Sequence, residues 1–278
     1  MAEIIDGKKL AKEIREDLKI KCDELREKGT KPKLAVIMVG DDKASQVYVR
    51  NKSKVCDEIG IEFEEHLLDS SIEQKVLIDL IEKINSDKNV HGILLQSPIP
   101  VHLDINEAFR TISPEKDVDG FNPVNVGKLS LNQDTFVSCT PYGIMKMFEA
   151  YDIDLTGKNV TIIGRSNIVG KPLIQCCLNK NATVTVCHSK TKDLKQHTQN
   201  ADIIIAAIGK SNFVTEDMIK QGAVVIDVGI NRNEDGKITG DVDFENVKDK
   251  ASYITPVPGG VGPMTIAMLM NNVIKACK

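Results

Sequence analysis

Five short motifs hold the residues of this chain whose types and spacing could do chemistry. In "SQVYVRNKSKVCDEIG" (45–60), Tyr48 and Lys52 stand four residues apart, so a helix there stacks them on one face. The apolar ridge beside them, Val47, Val55 and Ile59, is expected to point inward. A lysine on the border of a buried face loses hydration, and burial lowers its pKa toward a value useful for moving protons. The alternative is a snorkelling lysine, its stem on the core and its ammonium in water. "LLQSPIP" (94–100) ends an apolar run with Gln96, and the prolines that follow restrain the backbone. "SPEKDVDGFNP" (113–123) presents Asp117 and Asp119 ahead of a glycine, which by itself reads as a turn. Near the C-terminus, "TPVPGGVGPMT" (255–265) mixes rigid and permissive residues. It is either a loop shaped for close approach to a ligand or an inter-domain connection.

A different chemistry is written in "IIGRSNIVGKP" (162–172). An apolar run, Gly164, a polar turn and Gly170 before a helix-ready stretch suit the strand–turn–helix that seats a pyrophosphate on a helix N-terminus. Ser166 takes the middle position, small and with a hydroxyl to offer. The fingerprint is incomplete, and an ordinary turn with packing glycines has the same pattern. The charges discriminate. From Leu155 through Lys192 there is no aspartate or glutamate, while Lys158, Arg165, Lys171, Lys180, Lys190 and Lys192 are basic. An NAD site normally places a carboxylate near the end of the second strand, to bind the ribose 2′-hydroxyl. Here that place reads "VCHSKT" (186–191). Arg165 and the Ser189 hydroxyl could instead receive a 2′-phosphate through charge-assisted hydrogen bonds, which selects NADP over NAD.

The elements that must position these groups alternate. Leu10, Ile14, Leu18 and Leu25 form one helical stripe ended by Gly29. "KLAVIMVG" reads as a buried strand, residues 44–59 as a helix stopped by Gly60, "IEFEEHLL" and "VHGILLQ" as further strands. Ser71 with Gln74 predicts a capping box before a helix carrying Leu77, Leu80, Ile81 and Ile84. "NVTIIG", "ATVTVC", "ADIIIAAIG" and "GAVVIDVGI" repeat the strand grammar in the second half, and Thr140-Pro141 reads as an N-cap and first turn. Strand–helix alternation predicts an α/β fold with parallel sheets. The domain boundary is expected in the loop-rich stretch 114–139, with the domains closely apposed around a cleft.

Several classes are disfavoured. A net charge of −4 gives no basic face for nucleic acid. The N-terminus is too charged for a signal peptide, and "IIIAAI" is far too short to span a bilayer. Seven scattered cysteines without a C-x-x-C pattern predict free thiols in a reducing cytosol. No metal site is expected. The whole reads as a soluble cytoplasmic protein.

Taken together, "YVRNKSKVCDEIGI", "GILLQSPIP", "PEKDVDGFNPVNVGKL", "CTPYGIMKMF", "GRSNIVGKP", "VCHSKT", "DVGIN" and "ITPVPGGVGPMT", in that order across nearly the whole chain, resemble the bifunctional methylenetetrahydrofolate dehydrogenase/cyclohydrolase family. The resemblance implies two α/β domains. Residues 1–138 would form a folate-binding catalytic domain, completed by a C-terminal helix within 264–278. Residues 139–263 would form a Rossmann-like NADP-binding domain, through which the family usually forms homodimers. It also implies two reactions: hydride transfer from 5,10-methylene-tetrahydrofolate to NADP⁺, then hydrolysis of the methenyl cation to 10-formyl-tetrahydrofolate. By resemblance Lys52 is the catalytic lysine, positioned and tuned by Gln96. Tyr48 stacks on the aminobenzoyl group, and Asp119 holds the pterin ring. Pro258, Gly259, Gly260 and Gly262 line the folate side of the cleft, while Gly164, Arg165, Ser166, Ser189 and Ile230 contact the cofactor. One departure is Ser97, where family members commonly carry leucine. Two other readings compete: a dehydrogenase that has lost hydrolysis, and a non-enzymatic nucleotide sensor. The sensor leaves the lysine motif unexplained.

Overall fold

The computed structural model describes residues 1–232 and 236–277. Residues 233–235 and 278, which fall in the expected second domain and C-terminal segment, lie outside the described residues. The first elements are β1 (Glu3–Ile4), α1 (Gly7–Glu27), β2 (Lys33–Val39), α2 (Lys43–Ile59), β3 (Glu62–Leu68), α3 (Gln74–Ser86) and β4 (Gly92–Leu95). Three helices follow: α4 (Ile105–Thr111), α5 (Pro123–Ser130) and α6 (Cys139–Ala150). Next come β5 (Asn159–Ile163), α7 (Gly170–Leu178), β6 (Thr183–Cys187), α8 (Leu194–Thr198), β7 (Ile203–Ala206) and β8 (Val224–Asp227). The chain continues through β9 (Asn231–Arg232), β10 (Ile238–Thr239), α9 (Phe244–Val247), β11 (Tyr253–Ile254) and α10 (Val261–Ala276).

These elements form two compact units. One comprises Glu13–Cys139 and the chain from Ile266 onward. Its sheet has the order β3-β2-β4, both pairs parallel. Strand β2 is apolar throughout after its first residue because it is the central strand, buried on both faces. Ile37, Leu95, Leu77, Ile81 and Ile84 share one core cluster with it. Helix α2 starts where the Asp42 carboxylate accepts the Ser45 N–H at 2.7 Å, and stops at Gly60, whose φ of 94° suits a residue without a Cβ.

The other unit comprises Met1–Lys12 and Thr140–Thr265. Its six-stranded sheet runs β1-β11-β8-β7-β5-β6, every pair parallel. Strands β7 and β8 are fully buried and read as continuous apolar runs for that reason. Residues 1–12 belong to this unit: β1 extends the sheet edge beside β11, and the Lys8 N–H donates to Gly259 O at 2.8 Å.

Three local expectations need correction. The capping box does not form: Ser71 bonds Asp69, the Gln74 side chain bonds Asp104 and Glu107, and Glu73 occupies the N-cap without a side-chain cap. The loop-rich boundary stretch contains α5, capped by Asn122. Helix α6 begins one residue before the Thr140-Pro141 pair, and the Thr140 hydroxyl pairs with that of Thr265 at 2.9 Å. All seven cysteines are free thiols. Among the described residues no helix is long and apolar enough to cross a membrane.

Candidate active site

The first site grows from the buried face of α2. Its buried residues are Ser45, Val49, Val55, Cys56 and Ile59. Val47, expected inward, is 54% exposed. The reason is angular: eight residues before Val55 is roughly 80° out of phase with it at 3.6 residues per turn. Stepping back from Ile59 by threes and fours passes through Cys56, Lys52, Val49 and Ser45. Lys52 therefore lies on the buried stripe itself, and Tyr48 beside it keeps 43% of its surface exposed.

The Lys52 ammonium reaches the end of β4. Its Nζ donates to Gln96 Oε1 at 2.8 Å, and Gln96 is itself buried. The Gln96 N–H donates to Ile37 O on β2, and its Nε2 donates to Ser97 O at 2.6 Å. That last bond uses the Ser97 main chain, so the side chain at position 97 takes no part in it. Burial pushes the Lys52 pKa down, and the negative charge of Asp119 opposes it. Burial likewise pushes the Asp119 carboxyl up, opposed by Lys52 and by a hydrogen bond from the Cys139 thiol.

Asp119 is held by a rigid turn. The buried Asp117 carboxylate accepts N–H groups from Phe121, Asn122 and the Asn125 side chain at 2.8–3.2 Å. Burial still lifts its pKa to about 7. Gly120, at a φ of 72°, passes so close to the 136–138 segment that a Cβ would stand 2.7 Å from Ser138 N. The Asn272 side chain donates to Val118 O at 2.8 Å. Sequence reasoning assigned no role to Cys139 or to this use of Asp117. Cys139 opens one of the quoted motifs, but nothing local says that its buried thiol faces Asp119.

The second site is a backbone feature. Gly164 follows β5 with a φ of 125°, and a Cβ on it would lie 2.3 Å from Ala207 O. A Cβ on Gly170 would lie 2.5 Å from Gly164 O. Both positions exclude any larger residue. The Ser166 hydroxyl accepts the N–H groups of Val169 and Gly170 at 3.2 and 3.4 Å, tying the turn to the start of α7. Arg165 and Ser189 are both exposed. Each lies two residues beyond the paired Ile163 and Cys187, so they leave neighbouring strands at equivalent positions. A turn with no Cβ at 164 or 170, open to α7 and flanked by cations, fits a nucleotide carrying a 2′-phosphate.

Pro258, Gly259, Gly260 and Gly262 lie in the unit that holds this turn, while Tyr48, Lys52, Gln96 and Asp119 lie in the other. Gly260 O is 1.9 Å from where a Gly7 Cβ would be, so loop and N-terminal segment meet backbone to backbone. Ile230, 52% exposed, approaches Gly262 to 3.9 Å, measured to the position a Cβ would take. It is thus a neighbour of the glycine loop as well as a candidate cofactor contact.

Residues 5–119 match the model of the tetrahydrofolate dehydrogenase/cyclohydrolase catalytic domain, and residues 138–278 match that of the family's NAD(P)-binding domain. The chain is 53% identical over 277 residues to the Bifunctional protein FolD of Bacillus subtilis, covering all of this chain and 98% of that protein. The crystal structure of the bifunctional FolD dehydrogenase/cyclohydrolase from Campylobacter jejuni superposes with a TM-score of 0.99 at 53% identity, covering 100% of this chain and 99% of that one. The Trypanosoma brucei enzyme, solved with NADP cofactor and inhibitor, gives 0.95 at 37% identity, covering 99% and 97%. Together with the two sites, these matches show that the chain belongs to the tetrahydrofolate dehydrogenase/cyclohydrolase family.

Proposed function

We propose that this chain is a bifunctional one-carbon folate enzyme. It oxidises 5,10-methylene-tetrahydrofolate with NADP⁺ and hydrolyses the resulting 5,10-methenyl-tetrahydrofolate to 10-formyl-tetrahydrofolate. The observation that carries the hydrolytic half is the Lys52 Nζ–Gln96 Oε1 contact of 2.8 Å on a buried face beside Asp119.

Two demands fall on the Lys52 site. As hydride leaves, the methylene carbon becomes cationic, so a fully charged ammonium nearby would oppose the first step. Burial favours the neutral amine and removes that opposition. In the second step water adds to the methenyl carbon and gives up a proton. The carbinolamine then collapses: the C–N5 bond breaks as the formyl C=O forms, N5 takes a proton, and the hydroxyl proton leaves to solvent as the one proton released overall. Neutral Lys52 accepts the first proton and returns the second, with Gln96 holding its nitrogen in place. Asp119 binds the pterin ring and, through its charge, keeps the Lys52 pKa from falling too far to return the proton. Tyr48 offers an exposed ring to the aminobenzoyl group, and Pro258, Gly259, Gly260 and Gly262 complete the folate contacts.

NADP⁺ supplies the hydride acceptor. Gly164 and Ser166 admit its pyrophosphate, Arg165 and Ser189 bind its 2′-phosphate, and Ile230 contacts it. The unit holding Lys52 is thus the folate-binding one, and the unit holding Gly164 the NADP-binding one. A homodimer through the NADP-binding unit, in the cytoplasm, completes the reading.

The test is a time course with NADP⁺ and 5,10-methylene-tetrahydrofolate that resolves NADPH, methenyl- and 10-formyl-tetrahydrofolate. Enzyme-accelerated appearance of NADPH and the formyl product is expected. NADPH with only uncatalysed loss of the methenyl species would leave a dehydrogenase alone. The 2′-phosphate assignment stands or falls with Arg165→Ala, which should erode the preference for NADP over NAD.

A further inference from the structure

Two buried carboxylates in the nucleotide unit take no part in the chemistry above. Asp241 has no exposed surface and Asp227 only 3%. Burying a carboxylate is costly unless strong donors surround it, and here they do. Asp241 accepts the N–H groups of Ile208 at 2.7 Å, Gly209 at 3.1 Å and Lys210 at 2.8 Å, together with the Asn231 side-chain amide at 2.9 Å. Asp227 accepts those of Gly229, Asp241 and Val242, each at 2.9 Å. Its own N–H donates to the Thr255 hydroxyl at 2.7 Å. The donors come from separate chain segments: the one after β7, the one after β8, and the one after β10.

The close approach is built in. A Cβ on Gly229 would lie 2.2 Å from Asp241 Oδ1, and one on Gly240 would lie 1.9 Å from Asp227 Oδ2. Only glycine admits the carboxylates at either point. The tethered segments also lie beyond the carboxyl ends of the strands in the sheet that carries the nucleotide turn. Ala206 pairs with both Ile163 and Asp227, so Gly164, Ala207 and Val228 leave three adjacent strands together. Ala207 O is the atom that faces Gly164, and Ile230 sits between Gly229 and Asn231, both of which the carboxylates hold. In sheets of this kind ligands bind beyond the carboxyl ends of the strands.

We propose that Asp241, braced by Asp227, is a positioning residue for the cofactor: it gathers the backbone N–H groups of 208–210 and the Asn231 amide, and so fixes the loops at 208–210 and 229–231 against which NADP⁺ binds. It acts through those loops and touches no ligand itself. The inference rests on the functional reading above for the identity of the ligand.

The experiment is calorimetric titration of NADP⁺ into the full chain and into Asp241→Asn, with hydrolysis of methenyl-tetrahydrofolate assayed in parallel without cofactor. An amide keeps the volume but turns an NH₂ toward N–H donors, leaving some of them unpaired. A weakening of NADP⁺ binding of about tenfold or more is expected, with a clearly smaller loss of hydrolysis. The KM for NADP⁺ should rise more than kcat falls. Unchanged NADP⁺ affinity, or equal loss of both functions, overturns the proposal. If Asp241→Asn does not fold, Asn231→Ala decides the matter, since it removes one tether and no backbone bond. A loss of NADP⁺ affinity supports the proposal, and wild-type affinity overturns it. Should the wild-type chain bind NADP⁺ but turn over no folate, the functional reading fails while the calorimetry still judges Asp241. A wild-type chain that does not bind NADP⁺ overturns both.

Discussion

At Lys52 the fold buries a charge; at Gly164 it strips side chains from a backbone and leaves the charges in water. The protonation equilibrium of the lysine is set by what surrounds it: a glutamine at 2.8 Å, burial opposed by the charge of an aspartate, and a thiol on that aspartate. The nucleotide turn gains its function from what is missing, with Ala207 O and Gly164 O standing where Cβ atoms would be. Arg165 and Ser189 then project into solvent. The contrast teaches that a proton-transfer group needs an environment that shifts its equilibrium, whereas an anion cradle needs donors and room.

If this division is right, the two activities can be separated by mutation, and the largest effect should come from the lysine. Lys52→Met removes the titrating group while keeping the apolar stem. Hydrolysis of methenyl-tetrahydrofolate should drop by about 10²–10⁴-fold, with a much smaller loss in NADPH formation. Equal loss of the two in a protein that still binds folate and NADP⁺ would break the comparison. The reverse case is Gly164→Ala. A Cβ there meets Ala207 O and forces a backbone φ that alanine adopts only under strain, at roughly 1–3 kcal/mol. Stopped-flow binding of NADPH should show affinity reduced by about 10- to 100-fold, while hydrolysis assayed without cofactor is largely spared.

Two smaller effects sharpen the Lys52 half. Val49 and Val47 differ by two positions on α2, one buried and one 54% exposed. Val49→Ala should cost about 1–3 kcal/mol in urea denaturation, and Val47→Ala no more than about 0.5. Similar costs would mean that α2 presents a different face from the one described. The smallest expected change is a shift in a pH profile. On the proposed mechanism the neutral amine is the base, so kcat for hydrolysis should climb with pH through the depressed Lys52 pKa. Asp119 raises that pKa. Asp119→Asn removes the charge, so the rising limb should move toward acid, read at saturating substrate. A move toward alkali would show that Asp119 does not act on Lys52 through its charge.

Whatever depends on neighbours along the chain was legible beforehand. Strand–helix alternation was readable from apolar runs punctuated by glycine, and Tyr48 and Lys52 shared a face because helical spacing leaves them no other choice. Gly164 and Gly170 were visible because few residues substitute for glycine in such a turn. The phase of α2 was misread at Val47 because two apolar residues near one ridge do not fix its angle, and the Ser71–Gln74 pair looked like a cap because its competitors, Asp69, Asp104 and Glu107, were not in view.

The sequence by itself determined the kinds of element, the family and the residues able to do the chemistry, since these follow from periodicity, turn propensity and motif order. Only the tertiary structure decided that Lys52 lies on the buried stripe, that Cys139 faces Asp119, and that Asp227 and Asp241 gather loops from distant parts of the chain. The reason is that desolvation and hydrogen-bond satisfaction are set by whatever packs around a group, and Lys52 and Asp241 find partners 44 and 33 residues away in the chain.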